Sequence, residues 1–160
     1  MDVKVVVADY SNPEQGLAIV HLLNAYAEDP MGGGKPLSSY AKENLVTKLS
    51  EIPHAFSLLA YVGDEPAGLM NCFEGFSTFV CKPLINIHDV VVLHQFRGLG
   101  ISQIMLDKVE SIAKERGCCK ITLEVLEGNA AAKKAYLKNG FAGYELDPKM
   151  GKALFWQKSV

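Results

Sequence analysis

The chain has no cluster of Lys and Arg: 16 basic residues against 18 acidic ones give a net charge of −2. Nucleic acid and an anionic membrane surface are held by gathered cations, so neither is expected as a partner. Long apolar runs are missing too, and none approaches the ~20 residues that span a bilayer. Met1-Asp2-Val3-Lys4 lacks the pattern of a secretory leader. Cysteine is scarce and poorly spaced for a metal. Cys72, Cys81, Cys118 and Cys119 form no C-x-x-C pair, so no metal site is expected. They read as small buried hydrophobes in a reducing compartment, which makes a cytoplasmic location the default expectation. Two phosphate-binding fingerprints are also absent. No G-K-S/T ends a P-loop, and Gln103 stands where the dinucleotide motif after Gly98-x-Gly100 needs a third glycine.

At 160 residues, with 49% apolar and 21% charged residues, the chain reads as a single globular domain over 1–160. Val3 to Val7 is an apolar strand. Ser11-Asn12-Pro13-Glu14 starts a helix with a side-chain cap and an early proline, and the helix runs to about Glu28. Asp29 to Pro36, with its three consecutive glycines, reads as a flexible lip. A second helix follows Ser38 or Ser39 to about Leu49. Ala55–Val62 and Ala67–Phe73 form an antiparallel hairpin, broken at Gly75. Cys119–Val125 alternates as a strand. Asn129 caps a helix over 130–138, and Phe141–Tyr144 and Ala153–Lys158 read as closing strands. The fold class is therefore mixed α/β, with a mostly antiparallel sheet and helices on both faces. Strand–helix–strand in the C-terminal half implies one parallel pair.

The most informative stretch is Ile85–Ser102. Ile85, Ile87, Val90, Val91 and Val92 suit a buried strand. Gln95-Phe96-Arg97-Gly98-Leu99-Gly100 then feeds a helix marked by Ile101, Ile104, Met105, Val109 and Ile112, closing at Gly117. Glycines before a helix N-terminus let free amides approach an anion closely, and the helix dipole favours negative charge. The stretch reads as a pyrophosphate cradle.

Gln95-x-x-Gly98-x-Gly100 resembles the acyl-CoA-binding motif of the GNAT N-acetyltransferase superfamily. Leu123-Glu124-Val125, Asn129, Ala132, Tyr136 and Gly140-Phe141 follow that family's order of strand, Asn, Ala, Tyr and Gly-Phe. The resemblance covers about residues 84–158 and implies the same mixed-sheet architecture. It also implies transfer of an acetyl group from acetyl-CoA to a primary amine. Amides of Arg97, Gly98, Leu99, Gly100, Ile101 and Ser102 would hold the pyrophosphate. The backbone of Val90, Val91 and Val92 would pair with the pantetheine arm, as an added strand does. Asn129 resembles the CoA-contacting asparagine. Tyr136 matches the tyrosine that protonates the leaving thiolate, since a phenol is protonated at neutral pH.

For the general base the sequence leaves alternatives. The spacing of Glu124 to Asn129 and Tyr136 looks like the ribosomal-protein N-terminal acetyltransferases. Asp89, with His88, resembles the acidic pair of small-amine acetyltransferases, although His88 departs from it. A small-molecule amine is the expected acceptor, with a peptide α-amine as the alternative. A non-catalytic acyl-CoA-binding domain is a further one. The oligomeric state stays open, a homodimer included.

Overall fold

The computed structural model describes residues 2–160. The chain falls into two compact units, one ending at Leu126 and the other covering Glu127–Val160. In the first unit, five strands stand in the order β1 (Val3–Val7), β2 (Ala55–Val62), β3 (Glu65–Ser77), β4 (Lys82–Val92) and β5 (Ile121–Leu123). The first three pairings are antiparallel and β4–β5 is parallel.

Helices cover both faces of this sheet. α1 (Pro13–Glu28) begins where Asn12 accepts the amides of Glu14 and Gln15. It buries Ala18, Ile19 and Leu22 against Leu59, Leu69 and Val91, which are register neighbours on β2, β3 and β4. α2 (Ser39–Ser50), capped by Ser38, packs beside it. Side chains alternate across a strand, so Gly68, next to Leu69, faces the other way. A Cβ added there would meet Met105 and Ile101 at 3.0 and 3.1 Å. Both belong to α3 (Ile101–Glu115), which therefore covers the opposite face. Its buried residues Ile101, Met105, Leu106, Val109 and Ile112 follow the helical repeat, whereas Ile104 is exposed.

Several expectations need correction. β3 does not break at Gly75: its ladder continues through Gly75–Leu84 to Ser77–Lys82. Glycine at an edge of the apolar pattern weakens a strand but does not end one that has a partner. The register shift lies instead between Asn71 and Cys72. β5 is only three residues long, because Glu124, Val125 and Leu126 are exposed and unpaired with β4. The two closing strands do not form. Between those segments stand the isolated bridge Glu145–Lys152 and the hydrogen bond from the Ala153 amide to the Tyr144 carbonyl, 2.9 Å, and Leu154, Phe155 and Trp156 lie exposed. Alternation makes a strand only where a neighbour takes up its backbone groups. Without them β5 is an edge strand of the described sheet, not a central one. Of the cysteines, Cys72 alone is fully buried, and burial pushes its thiol up to about 12. No helix among the described residues is long and apolar enough to cross a membrane.

Candidate active site

The parallel ladder between β4 and β5 stops at Ile87–Leu123, while β4 runs on to Val92 paired with β3 alone. The β5-facing edge of Val90, Val91 and Val92 is thus left without a strand neighbour among the described residues. A strand edge of this kind accepts an extended, amide-bearing chain. β4 then leads through a 3-10 turn at His94–Phe96 to Gly98 and Gly100, with φ +80 and +78. Both glycines are in the left-handed region that a side chain resists. A Cβ built on either meets nothing within 4 Å, so the space in front of this backbone is open.

The N-terminus of α3 carries no side-chain cap. The first turn of a helix has no intrahelical acceptors for its amides. Among the described residues, no backbone hydrogen bond uses the amides of Gly98, Leu99 or Gly100. Those amides lie at the open turn just ahead of the first turn of α3, in which no acidic residue stands. Geometry and charge both fit a phosphate. The Arg97 amide differs, because it donates to the His94 carbonyl at 3.2 Å. The Arg97 guanidinium donates from Nε to the Val92 carbonyl at 3.2 Å and lies 3.7 Å from Asp29.

A cleft of about 400 Å³ opens on the α1 face of the sheet. Leu23, Ala27, Leu37, Leu45 and Leu49 form its apolar wall. Tyr26, Asn71, Phe73, His88 and Asp89 line it as well. A bulge explains how two consecutive residues of β4 reach one cleft. Asn71 pairs with Asp89 and Cys72 with Ile87, which leaves His88 as the extra residue. Such a bulge turns a side chain to the face it would otherwise avoid. The His88 ring meets Phe73 edge-on at 5.7 Å. The Asp89 carboxylate accepts from the Asn71 amide at 3.0 Å. Burial, and then the charges of Asp89 and Asp29, push the Tyr26 phenol upward, so it stays protonated beside the carboxylate.

The expected lip is a hydrogen-bonded turn. Asp29 accepts the Met31 amide on its side chain at 2.9 Å and the Gly32 and Gly34 amides on its carbonyl at 2.8 and 3.0 Å. Gly32 lies so close to the Tyr26 carbonyl that a Cβ could not fit. This glycine is therefore required for close approach, and it lines the cleft.

The structure brings Asp89 and Val90–Val92 together on β4, with the cradle of Gly98–Ser102 following directly. Glu124 stands one residue past the last β4–β5 rung, exposed, and does not line the cleft. Asn129 and Tyr136 belong to the second unit. There Asn129 caps α4 (Ala130–Lys138) through its side-chain oxygen, 3.2 Å from the Ala132 amide. Tyr136 is buried on that helix, its ring 6.0 Å from Phe141. Sequence reasoning missed Tyr26, Asn71 and Phe73. A signal did exist for Asn71, the lone amide inside the apolar run Ala67–Phe73.

The chain is 30% identical over 79 residues to a thialysine N-epsilon-acetyltransferase of Caenorhabditis elegans, a match covering 49% of this chain and 48% of that protein. It is 38% identical over 63 residues to a streptothricin acetyltransferase of Streptomyces lavendulae, covering 39% and 33% of the two chains. The chain thus spans half or less of the length of these relatives. The fold matches the crystal structure of a probable acetyltransferase with a TM-score of 0.81, at 19% identity, over 98% of this chain and 99% of that one. The sequence pattern of the Acetyltransferase (GNAT) family fits residues 19–141. The chain belongs to the acetyltransferase (GNAT) family.

Proposed function

We propose that the protein is an acetyl-CoA-dependent N-acetyltransferase, one catalytic domain over 1–160, whose acceptor is a small molecule bearing a primary amine. The observation that carries this reading is Asp89, the one carboxylate among the described residues of a cleft otherwise walled mainly by leucines and aromatic rings. A lone anion in such a wall attracts a cationic amine. The leucines suit a short apolar stem on that amine.

Acetyl-CoA fits the rest of the site and supplies the activated acetyl group as a thioester. The amides of Gly98, Leu99, Gly100, Ile101 and Ser102 hold its pyrophosphate, and the free edge of Val90–Val92 holds its pantetheine arm. The family resemblance gives Asn129 a contact with the cofactor. Asp89 draws in the ammonium. The amine must lose a proton before it can attack, and Asp89 or Glu124 takes that proton as general base. By the same resemblance, the Tyr136 hydroxyl is the group that gives the departing sulfur its proton.

The relatives named above are called acetyltransferases of thialysine and streptothricin, which favours a small amine. A peptide α-amine is the competing acceptor, through the likeness of Glu124, Asn129 and Tyr136 to the ribosomal-protein branch. Release of free thiol from acetyl-CoA, followed with a panel of small primary amines and with short peptides bearing free N-termini, decides between them. Small amines are expected to give the higher kcat/KM. A lead of more than about tenfold for peptides, ~1.4 kcal/mol in transition-state binding, overturns the small-amine reading. Thiol release with no acceptor of either class overturns the transferase reading.

A further inference from the structure

We propose that Tyr10, Ser57 and Asn71 form a positioning relay that crosses the sheet and fixes the Asp89 carboxylate for the acceptor amine. The proposal rests on the reading of Asp89 as the amine's partner. Ser57, Asn71 and Asp89 are register neighbours on β2, β3 and β4, and all three lie on the α1 face. Ser57 donates to Asn71 Oδ1 at 2.6 Å, and Asn71 Nδ2 donates to Asp89 Oδ2 at 3.0 Å. The Tyr10 hydroxyl is 2.8 Å from Ser57 Oγ.

The chain has one consistent direction. Ser57 has a single hydroxyl proton and gives it to Asn71, so Tyr10 must donate to Ser57. Burial pushes the Tyr10 phenol upward, which keeps it a donor. With its oxygen occupied by Ser57, the Asn71 amide can present only its NH2 end to Asp89. A flipped amide would set its carbonyl against the carboxylate, acceptor to acceptor. One oxygen of Asp89 is thereby tied to the protein. The other takes no protein hydrogen bond among the described residues.

Stability gives no reason for this arrangement. Ser57 and Asn71 are 0% and 3% exposed, buried polar side chains amid apolar neighbours. Replacing a buried hydrogen-bonded pair with apolar groups of like shape is often neutral or stabilising. A polar chain that ends at the carboxylate of the cleft instead sets where that carboxylate points. A misplacement of about 1 Å costs on the order of 10²-fold in rate, so Tyr10 and Ser57, which do not line the cleft, act on turnover through Asn71 and Asp89.

A double-mutant cycle on the full chain tests it, with kcat/KM for the best small amine as readout. Asp89→Asn is expected to lower kcat/KM by about 10²-fold. Ser57→Ala, and Ser57→Cys as the variant that keeps the shape, are each expected to lower it about tenfold with KM for acetyl-CoA unchanged. In the Asp89→Asn background the same Ser57 changes should then cost less than about twofold, since groups acting through one another are not additive. Ser57→Thr, which keeps the hydroxyl, should restore most of the loss. An equal tenfold loss in both backgrounds overturns the relay while leaving the role of Asp89 standing. An Asp89→Asn variant with full kcat/KM overturns that role, and the relay with it. Circular dichroism at the assay temperature confirms that each variant is folded. Should Ser57→Ala not fold, the cycle with Ser57→Cys and Tyr10→Phe decides both points in the same way.

Discussion

α1 and α3 begin in opposite ways. The start of α1 is closed: Asn12 accepts two of its free amides, Pro13 removes a third donor, and Glu14 adds a negative charge beside the dipole. The start of α3 is open. Gly100 precedes it in the left-handed region, no side chain caps it, and no acidic residue stands in its first turn. The difference separates what a fold needs from what a ligand needs. A helix that only has to be stable satisfies its own first turn, as α2 also does through Ser38. A helix that has to bind an anion leaves those donors for it.

The largest effect comes from closing α3. Gly100→Asp places a carboxylate where the pyrophosphate is proposed to lie. Asp tolerates the left-handed backbone better than most residues, so the protein should fold. Affinity for CoA, measured by calorimetry, is expected to fall by at least about 10²-fold, ~2.7 kcal/mol. Gly100→Asn has the same size without the charge and should lose distinctly less. A folded Gly100→Asp variant that binds CoA like the parent protein breaks the comparison, because the open start would then hold no phosphate.

Both helix starts were legible in the sequence because their chemistry is local. Asn12-Pro13 and Gly98-x-Gly100 carry their meaning within a few residues. So did Gly117 and Gly140, which end helices with φ +69 and +88. The parts that stayed hidden depend on partners far along the chain. His88 and Asp89 share a cleft only because β3 and β4 slip by one residue at Asn71, and no local pattern marks that slip. Asn71 stood out as an amide in an apolar run, yet Ser57 and Asp89 lie 14 and 18 residues away from it. Ala153–Lys158 shows the converse. Its composition suits a strand, but no ladder takes it up: an isolated bridge at Glu145–Lys152 and the Ala153 amide on the Tyr144 carbonyl stand there instead.

A smaller effect sharpens the comparison at Gly98. With φ +80 and nothing within 4 Å of an added Cβ, Gly98→Ala meets no steric neighbour, only backbone strain. That strain is about 1–2 kcal/mol. It is expected to lower the melting temperature by a few degrees and to weaken CoA binding by roughly tenfold, as the turn relaxes and its amides swing away. Loss of stability with CoA affinity unchanged would mean that the turn shapes the corner alone.

The smallest effect comes from opening α1. Asn12→Ala removes the cap oxygen and leaves the Glu14 and Gln15 amides to water. Loss of such a cap costs about 1 kcal/mol, which for a chain of this size lowers the melting temperature by about 2–4 °C. The variant frees amides at a helix N-terminus and so imitates the open state of α3. It should nevertheless gain no affinity for CoA or for inorganic pyrophosphate, because Glu14 still stands in that first turn and no left-handed glycine turn precedes this helix. Removing the charge as well, in Asn12→Ala/Glu14→Gln, carries the imitation one step further. Calorimetry should again show no second binding event. A measurable site for pyrophosphate at α1 in either variant would mean that unspent amides alone make the cradle, and that Gly98 and Gly100 contribute only room. Silence at α1, set beside the loss at Gly100→Asp, assigns the binding to the glycine turn and the bare helix start acting together.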